Sequence, residues 1–185
     1  MRLLDDFLDH QSILTALCLH KARPPVMRDL LPDTVPSGLI HKMYKHVNKS
    51  SPPQGQLPSE IRTYLNTPKR RLHSTVLVCA YERVKVEGIT DNRAGQFVEA
   101  YQSYLATFPK PDLIYDFNRT WFFLRQFSLK RVALDKCLRC GHQYVYNRED
   151  MSDWKSCCTC QLITPVRPDV SLFNRTSTVI PRAAG

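Results

Sequence analysis

The chain carries 185 residues, with 26 Lys and Arg against 17 Asp and Glu, a net charge of +9 and 43% apolar residues, which suits one domain, or one domain with a small appendage, and excludes a disordered polycation. Its longest uninterrupted apolar run, Val76 to Tyr81, has six residues, where a membrane-spanning helix needs about 20. Asp5, Asp6 and Asp9 stand where a secretory signal requires a positive start and an apolar stretch, so the expectation is a cytoplasmic protein with no membrane partner.

In chain order, Leu3, Leu4, Phe7, Leu8, Ile13, Leu14, Leu17 and Cys18 recur at helical spacing over about Leu3 to Lys21. Arg23-Pro24-Pro25 ends that helix, because proline lacks the backbone N–H the ladder needs. A short helix follows over Val26 to Leu31, stopped by Pro32. Asp33 to Pro36 reads as a turn, and Ser37 is placed to cap a helix from Gly38 to about Asn48. Leu39, Ile40, Met43, Tyr44 and Val47 share one side of that helix, while His41, Lys42, Lys45, His46 and Lys49 lie largely on the other. A short helix, a turn and a second amphipathic helix with a basic outer face, at about 24–49, form the pattern of a helix-turn-helix. Its second helix must pack inward and still reach phosphates and base edges.

Three prolines and a glycine make Ser50 to Pro58 an extended connector. Leu72 to Val86 reads as a helix that is apolar over most of its surface, with Gly88 suited to its C-terminal cap. Thr90 and Asp91 begin another helix, with Phe97, Tyr101, Tyr104, Leu105 and Phe108 on one stripe. A third run after Pro111 aligns Ile114, Phe117, Trp121 and Leu124. Such aromatic stripes are read as core rather than as base-stacking platforms. The charge is localised: from His41 to Lys85, nine Lys and Arg face only Glu60 and Glu82, so this segment holds +7 of the net +9. Charge concentrated in this way is the footprint of a surface that meets phosphates.

Seven cysteines, five of them between Cys137 and Cys160, do not form the spread, even-numbered set of a secreted disulfide framework. Cys137-Leu138-Arg139-Cys140-Gly141 and Cys157-Cys158-Thr159-Cys160 give two C-x2-C pairs separated by 16 residues. A two-residue gap lets both sulfurs of a pair face one ion, and two pairs close a tetrahedron. The expectation is one structural Zn2+ per chain held by Cys137, Cys140, Cys157 and Cys160. Cys158 is left as a neighbour, because pairing it with Cys160 shortens the gap, and His142 is a substitute ligand. Cys18 and Cys79 lie on apolar helical faces and read as core. No histidine is followed two residues on by Glu, and H-E-x-x-H, G-x-S-x-G and the phosphate-binding G-x-x-x-x-G-K are all absent. The chain is therefore not read as an enzyme.

Several features then coincide in order: Leu39-Ile40-His41-Lys42-Met43-Tyr44-Lys45; Ser51-Pro52-Pro53 with Gly55 and Leu57-Pro58; Ala100-Tyr101 with Tyr104-Leu105; Arg119-Thr120-Trp121 with Arg125; and the four cysteines. Over about Leu17 to Gln161 the chain resembles the FlhC family of flagellar transcriptional activators, and its divergence over a preserved frame suits the SetC/AcaC-like branch of conjugative elements. The resemblance implies a largely helical zinc protein, with the same four cysteines as ligands. It implies action with an FlhD-like partner subunit in a hetero-oligomer that binds promoter DNA and recruits RNA polymerase, at flagellar or conjugative-transfer genes.

The resulting expectation is a mainly α protein: a helical bundle over 1–130 with the helix-turn-helix-like segment, a zinc-binding module over 131–165 and a tail over 166–185. Lys42, Lys45 and Lys49 are assigned to phosphates of double-stranded DNA and His41 or His46 to base edges. Lys69-Arg70-Arg71 forms a second phosphate patch, and Arg139 and Lys155 are offered to DNA or the partner. The alternative is a zinc-stabilised protein-interaction subunit without direct DNA contact, its +7 segment meeting an acidic partner.

Overall fold

The computed structural model describes residues 2–53, 55–150 and 157–163, with side chains from residue 11 onward; Lys155 and the tail over 166–185 lie outside the described residues. Helix boundaries follow from which backbone groups can be satisfied at each end. Helix α1 (Arg2–Leu19) stops at Lys21, whose φ of 55° turns the chain while Lys21 N–H bonds Cys18 O and Ala22 N–H bonds Leu17 O. That pair of bonds closes helices in the Schellman motif. Pro24 and Pro25 then open α2 (Pro24–Leu30), since N–H groups in a first turn have no helical partner to lose. After Leu31–Pro36 comes α3 (Ser37–Asn48). The structure corrects the expected cap here: Pro36, extended at φ −64° and ψ 138°, holds the N-cap position, and Ser37 is the first helical residue with no capping side chain before it.

A single turn, α4 (Arg62–Leu65), precedes α5 (Pro68–Val86). Thr67 accepts the Arg70 N–H at 3.2 Å, so α5 starts four residues earlier than its apolar pattern announced. It ends at Gly88 (φ 60°), where Gly88 N–H bonds Lys85 O and Ile89 N–H bonds Val84 O. Helix α6 (Arg93–Thr107) is capped by Asn92, which accepts from Ala94 and Gly95, and not by Thr90 or Asp91; Thr90 Oγ1 instead accepts the Asn92 N–H at 3.2 Å. Helix α7 (Phe117–Ser128) is capped by Asp116, so Ile114 belongs to the preceding segment rather than to the helix. Strands β1 (Val132–Lys136) and β2 (Gln143–Asn147) pair antiparallel, Val132 opposite Asn147 through Lys136 opposite Gln143. Last comes α8 (Cys158–Ile163). The fold is mainly helical, and none of its described helices is long and apolar enough to cross a membrane.

The aromatic stripes form the core, as expected from their spacing. Tyr64, Phe97, Tyr104, Phe117 and Phe123 are fully buried, and the Tyr64 ring lies 5.0 Å from those of both Tyr115 and Phe123. Val132 and Val145 belong to the same core, so the hairpin is docked on the bundle.

Three polar ties hold α2 and α3 to this frame. The carboxylate of Asp29 accepts Trp121 Nε1–H at 2.8 Å and an Arg93 N–H at 3.0 Å, and Arg125 Nε lies 3.7 Å away. Asn118 accepts the Arg23 N–H at 2.8 Å and donates to Lys21 O. Asn48 donates to Cys18 O at 2.9 Å, joining the end of α3 to α1.

A buried imidazole sits between α5 and α6. Tyr104 Oη accepts the N–H groups of Ile114 and Tyr115, both at 3.3 Å, so its own proton points at His73 Nδ1, 2.7 Å away. His73 is thereby fixed as the neutral Nε2–H tautomer and stacks on Phe108 at 3.8 Å. Burial foremost, with Lys69 adding to it, pushes the His73 pKa below 6.5, and burial does the same to His20.

Two outcomes are expected. Asp29→Ala should lower the unfolding free energy by about 1–3 kcal/mol, the loss typical of a partly buried charged hydrogen-bond group, read as a lower urea midpoint at unchanged slope. The unfolded chain protonates both histidines near 6.5 while the folded chain resists, so the stability they confer is full above that pH and lost as pH falls through their lowered folded pKa values. His73→Gln keeps an acceptor for Tyr104 and cannot titrate; its urea midpoint should fall less than that of the wild type between pH 7.5 and pH 5.5.

Candidate metal centre and basic surface

The β1–β2 loop is built around Cys137. Its N–H bonds His142 O at 2.9 Å, and Gly141 N–H bonds Cys137 O at 2.8 Å. Gly141 at φ 75° makes this turn possible, since a side chain there would be strained. The second pair stands on α8: Cys157 precedes the helix, its carbonyl accepting from Gln161 N–H, and Cys160 lies in the first turn. The four sulfurs of Cys137, Cys140, Cys157 and Cys160 lie within 4.8 Å of one another, with Cys137 to Cys160 at 3.8 Å and Cys140 to Cys157 at 3.6 Å. A tetrahedron with metal–sulfur bonds of about 2.3 Å has an edge of about 3.8 Å. The cluster can therefore hold a metal ion with little rearrangement.

Its electrostatics prepare it unevenly. Backbone N–H groups of Cys140 and then Arg139 aimed at the Cys137 sulfur pull that thiol down, to about 6. Cys160, hydrogen-bonded foremost with Cys140, is held up at about 12 and must release its proton when an ion enters. Cys158 is fully buried with its sulfur 3.9 Å from Thr75 Oγ1, and His142 is exposed; neither is among the four converging residues. Cys18 is buried in the core, and the half-buried Cys79 donates to Gln143 Oε1 at 3.4 Å. Arg139 is exposed in the first turn of the centre.

The basic side chains of α3 stand apart from its packed side. Ile40 and Tyr44 are buried and Met43 and Val47 half-buried, whereas His41, Lys42, Lys45, His46 and Lys49 are all exposed. Leu39, grouped with the inner side by spacing, is exposed as well. His41 Nδ1 lies 2.9 Å from Ser37 O and donates to it, so in the neutral ring Nε2 is left as an acceptor pointing away from the backbone. Lys49 closes the helix at φ 54°.

The triplet Lys69-Arg70-Arg71 does not share a face, because successive residues on a helix point about 100° apart. Lys69 is exposed and pairs with Asp112 at 3.3 Å. Arg70 is half-buried and donates to Thr63 O and Asn66 Oδ1 on and beside α4. Arg71 corrects the expectation of a surface patch: it is 5% exposed, and its guanidinium donates to Leu65 O at 2.8 Å and Val145 O at 3.4 Å. It is a tie between α4, α5 and β2. The sequence held a signal for this, since Arg71 stands one residue before Leu72 and four before Thr75 on the side of α5 that meets the hairpin.

Comparison with known proteins places these features. A family model described as the flagellar transcriptional activator (FlhC) matches residues 15–169. The flagellar transcriptional regulator FlhC of Variovorax paradoxus (strain S110) is 27% identical over 122 residues, covering 65% of this chain and 59% of that protein. That of Cupriavidus metallidurans is 29% identical over 123 residues, 65% of this chain and 57% of the relative. That of Proteus mirabilis is 27% identical over 128 residues, 67% and 65%. The chain thus spans between 57% and 65% of the length of these three relatives. The family is one of transcriptional regulators rather than enzymes. The four-cysteine cluster, the basic face of α3 and the helices that carry both lie inside the matched residues, and the chain belongs to the FlhC family of flagellar transcriptional activators.

Proposed function

We propose that this chain is a DNA-binding transcriptional activator subunit that joins an FlhD-like partner in a hetero-oligomer, binds promoter DNA and recruits RNA polymerase in the cytoplasm. Flagellar genes, or conjugative-transfer genes in the SetC/AcaC-like branch, are its targets. The observation that carries the reading is the division of α3, with Ile40 and Tyr44 packed inward and five basic residues exposed outward, inside a chain of the activator family. In this reading α2 and α3 act as the two helices of a helix-turn-helix. Lys42, Lys45 and Lys49 neutralise phosphates. His41, its Nε2 free to accept, and His46 reach base edges, where an imidazole acceptor suits the amino groups of adenine or cytosine. Lys69 and Arg70 lie on a second surface, at the start of α5, and contribute less because both already have protein partners.

The metal in this reading is Zn2+. Four thiolates satisfy its preferred coordination and leave no position for water, so its role is structural. It joins the β1–β2 loop to α8, and α8 packs on α5 beside Thr75.

Each part has its own measurement. In the complex with the partner, replacing Lys42, Lys45 and Lys49 together by Ala should weaken binding to every duplex alike. It should also reduce the salt slope by up to about three ion equivalents; an unchanged slope removes α3 from the DNA surface and favours an interaction subunit. One zinc per chain is expected by native mass spectrometry. Cys140→Ser should lose it and lower stability by about 2 kcal/mol or more, a fall in Tm of about 4–8 °C for a chain of this size.

A further inference from the structure

A cleft of about 480 Å³ opens between the connector at Gln56 to Glu60, α4 and the first turns of α5 and α7, with Arg23 on one side. Its charged lining is Arg23, Arg70 and Arg119 against Glu60 and Asp116. The three guanidinium groups are committed to different degrees. Arg23 donates Nη1–H to the carbonyls of Gly55 and Gln56 at 3.1 and 3.0 Å, and Arg70 donates Nη1–H to Thr63 O at 2.9 Å, which fixes both in place with other N–H groups left over. Arg119 has no side-chain partner among the described residues, while its backbone N–H is taken by Asp116 Oδ1 at 2.8 Å.

Two buried polar atoms of residues in this lining have no hydrogen-bond partner among the described residues: the hydroxyl of Tyr64, a residue only 2% exposed, and Nε of Arg23. Buried donors are almost always paired, so two orphans on one cleft call for a guest that brings acceptors. Burial, reinforced by Tyr115, holds the Tyr64 phenol far above its usual pKa, so it serves as a donor, and Arg119 and Asp116 both act on it from the cleft. Forked cations around a neutral O–H donor match an oxyanion, which accepts from several directions at once.

We infer that this cleft binds the oxyanion group, phosphate or carboxylate, of a small molecule through Arg23, Arg70, Arg119 and the Tyr64 hydroxyl. A phosphate of bound DNA is the competing occupant of the same cations, and the duplex arm of the test below separates it from a free oxyanion. The site also has a regulatory position. Arg23 stands just before α2 and the connector follows α3, so an occupant ties both ends of the α2–α3 unit to the start of α7. The inference does not depend on α3 touching DNA.

The test is calorimetric titration of the full chain, at constant ionic strength, with inorganic phosphate and, in parallel, citrate. Saturable binding of one of them is expected at a single site, weakened at least tenfold in Arg119→Ala and several-fold in Tyr64→Phe. Because the hydroxyl has no partner to lose, Tyr64→Phe should leave the anion-free unfolding midpoint unchanged or raised, and the affinity for a duplex unchanged. Absence of saturable binding by both anions overturns the inference. So does equal binding by wild type and both variants, a lowered anion-free midpoint in Tyr64→Phe, or a parallel loss of duplex affinity that would assign the cleft to DNA.

Discussion

Both backbone polar groups of Val145 in β2 are met by side chains of α5. Its N–H bonds Thr75 Oγ1 at 3.2 Å, its carbonyl accepts from Arg71 at 3.4 Å, and Thr75 Oγ1 donates in turn to Arg71 O at 2.8 Å. A strand with one neighbour leaves backbone groups unpaired on its other edge, and burying them unpaired would be costly. Here a helix supplies one donor and one acceptor to the inward edge. The described residues C-terminal to α7 depend on that arrangement, because β2 positions the loop that carries Cys137 and Cys140, while α8, with Cys157 and Cys160, leans on the same stretch of α5. The metal module is therefore an extension of the helical core.

The same logic explains how α3 can present a charged face. Only Ile40 and Tyr44 of that helix are fully buried, too little apolar area to fix a helix firmly by itself. Its position is set at the ends, where Asn48 reaches α1 and, through α2, Asp29 reaches α6 and α7. Polar ties at the margins leave the outer surface free of packing demands, so its residues can be selected for charge.

Much of this was legible in the residues. Helical periodicity located the long helices among the described residues, because their apolar stripes, aromatic in α6 and α7, pack into the core, and the two C-x2-C pairs named four sulfurs that converge. What escaped were features decided by competition between neighbours. Ser37 lost the cap to Pro36, whose fixed φ already suits the extended N-cap, and Thr90 lost it to Asn92, which reaches two N–H groups at once. The hairpin gives only a weak signal, since Val132 to Lys136 and Gln143 to Asn147 are runs of five residues with three consecutive apolar positions rather than a polar–apolar alternation. Arg71 was misplaced because a run of three basic residues looks like one patch until the helix distributes it over three directions. The cleft around Tyr64 had no local signature, as its walls come from four separate parts of the chain.

The pairing between Thr75 and Val145 spans 70 positions. During synthesis at about 5–20 residues per second, α5 waits about 4–14 s for its strand partner. Through that interval the Arg71 guanidinium and the Thr75 hydroxyl stay hydrated, and the half-made bundle keeps a polar seam on the very side where an apolar one would invite misassociation. A buried arginine that looks like an extravagance in the finished protein is, on the nascent chain, a solubilising group that is withdrawn only when β2 arrives to cover it.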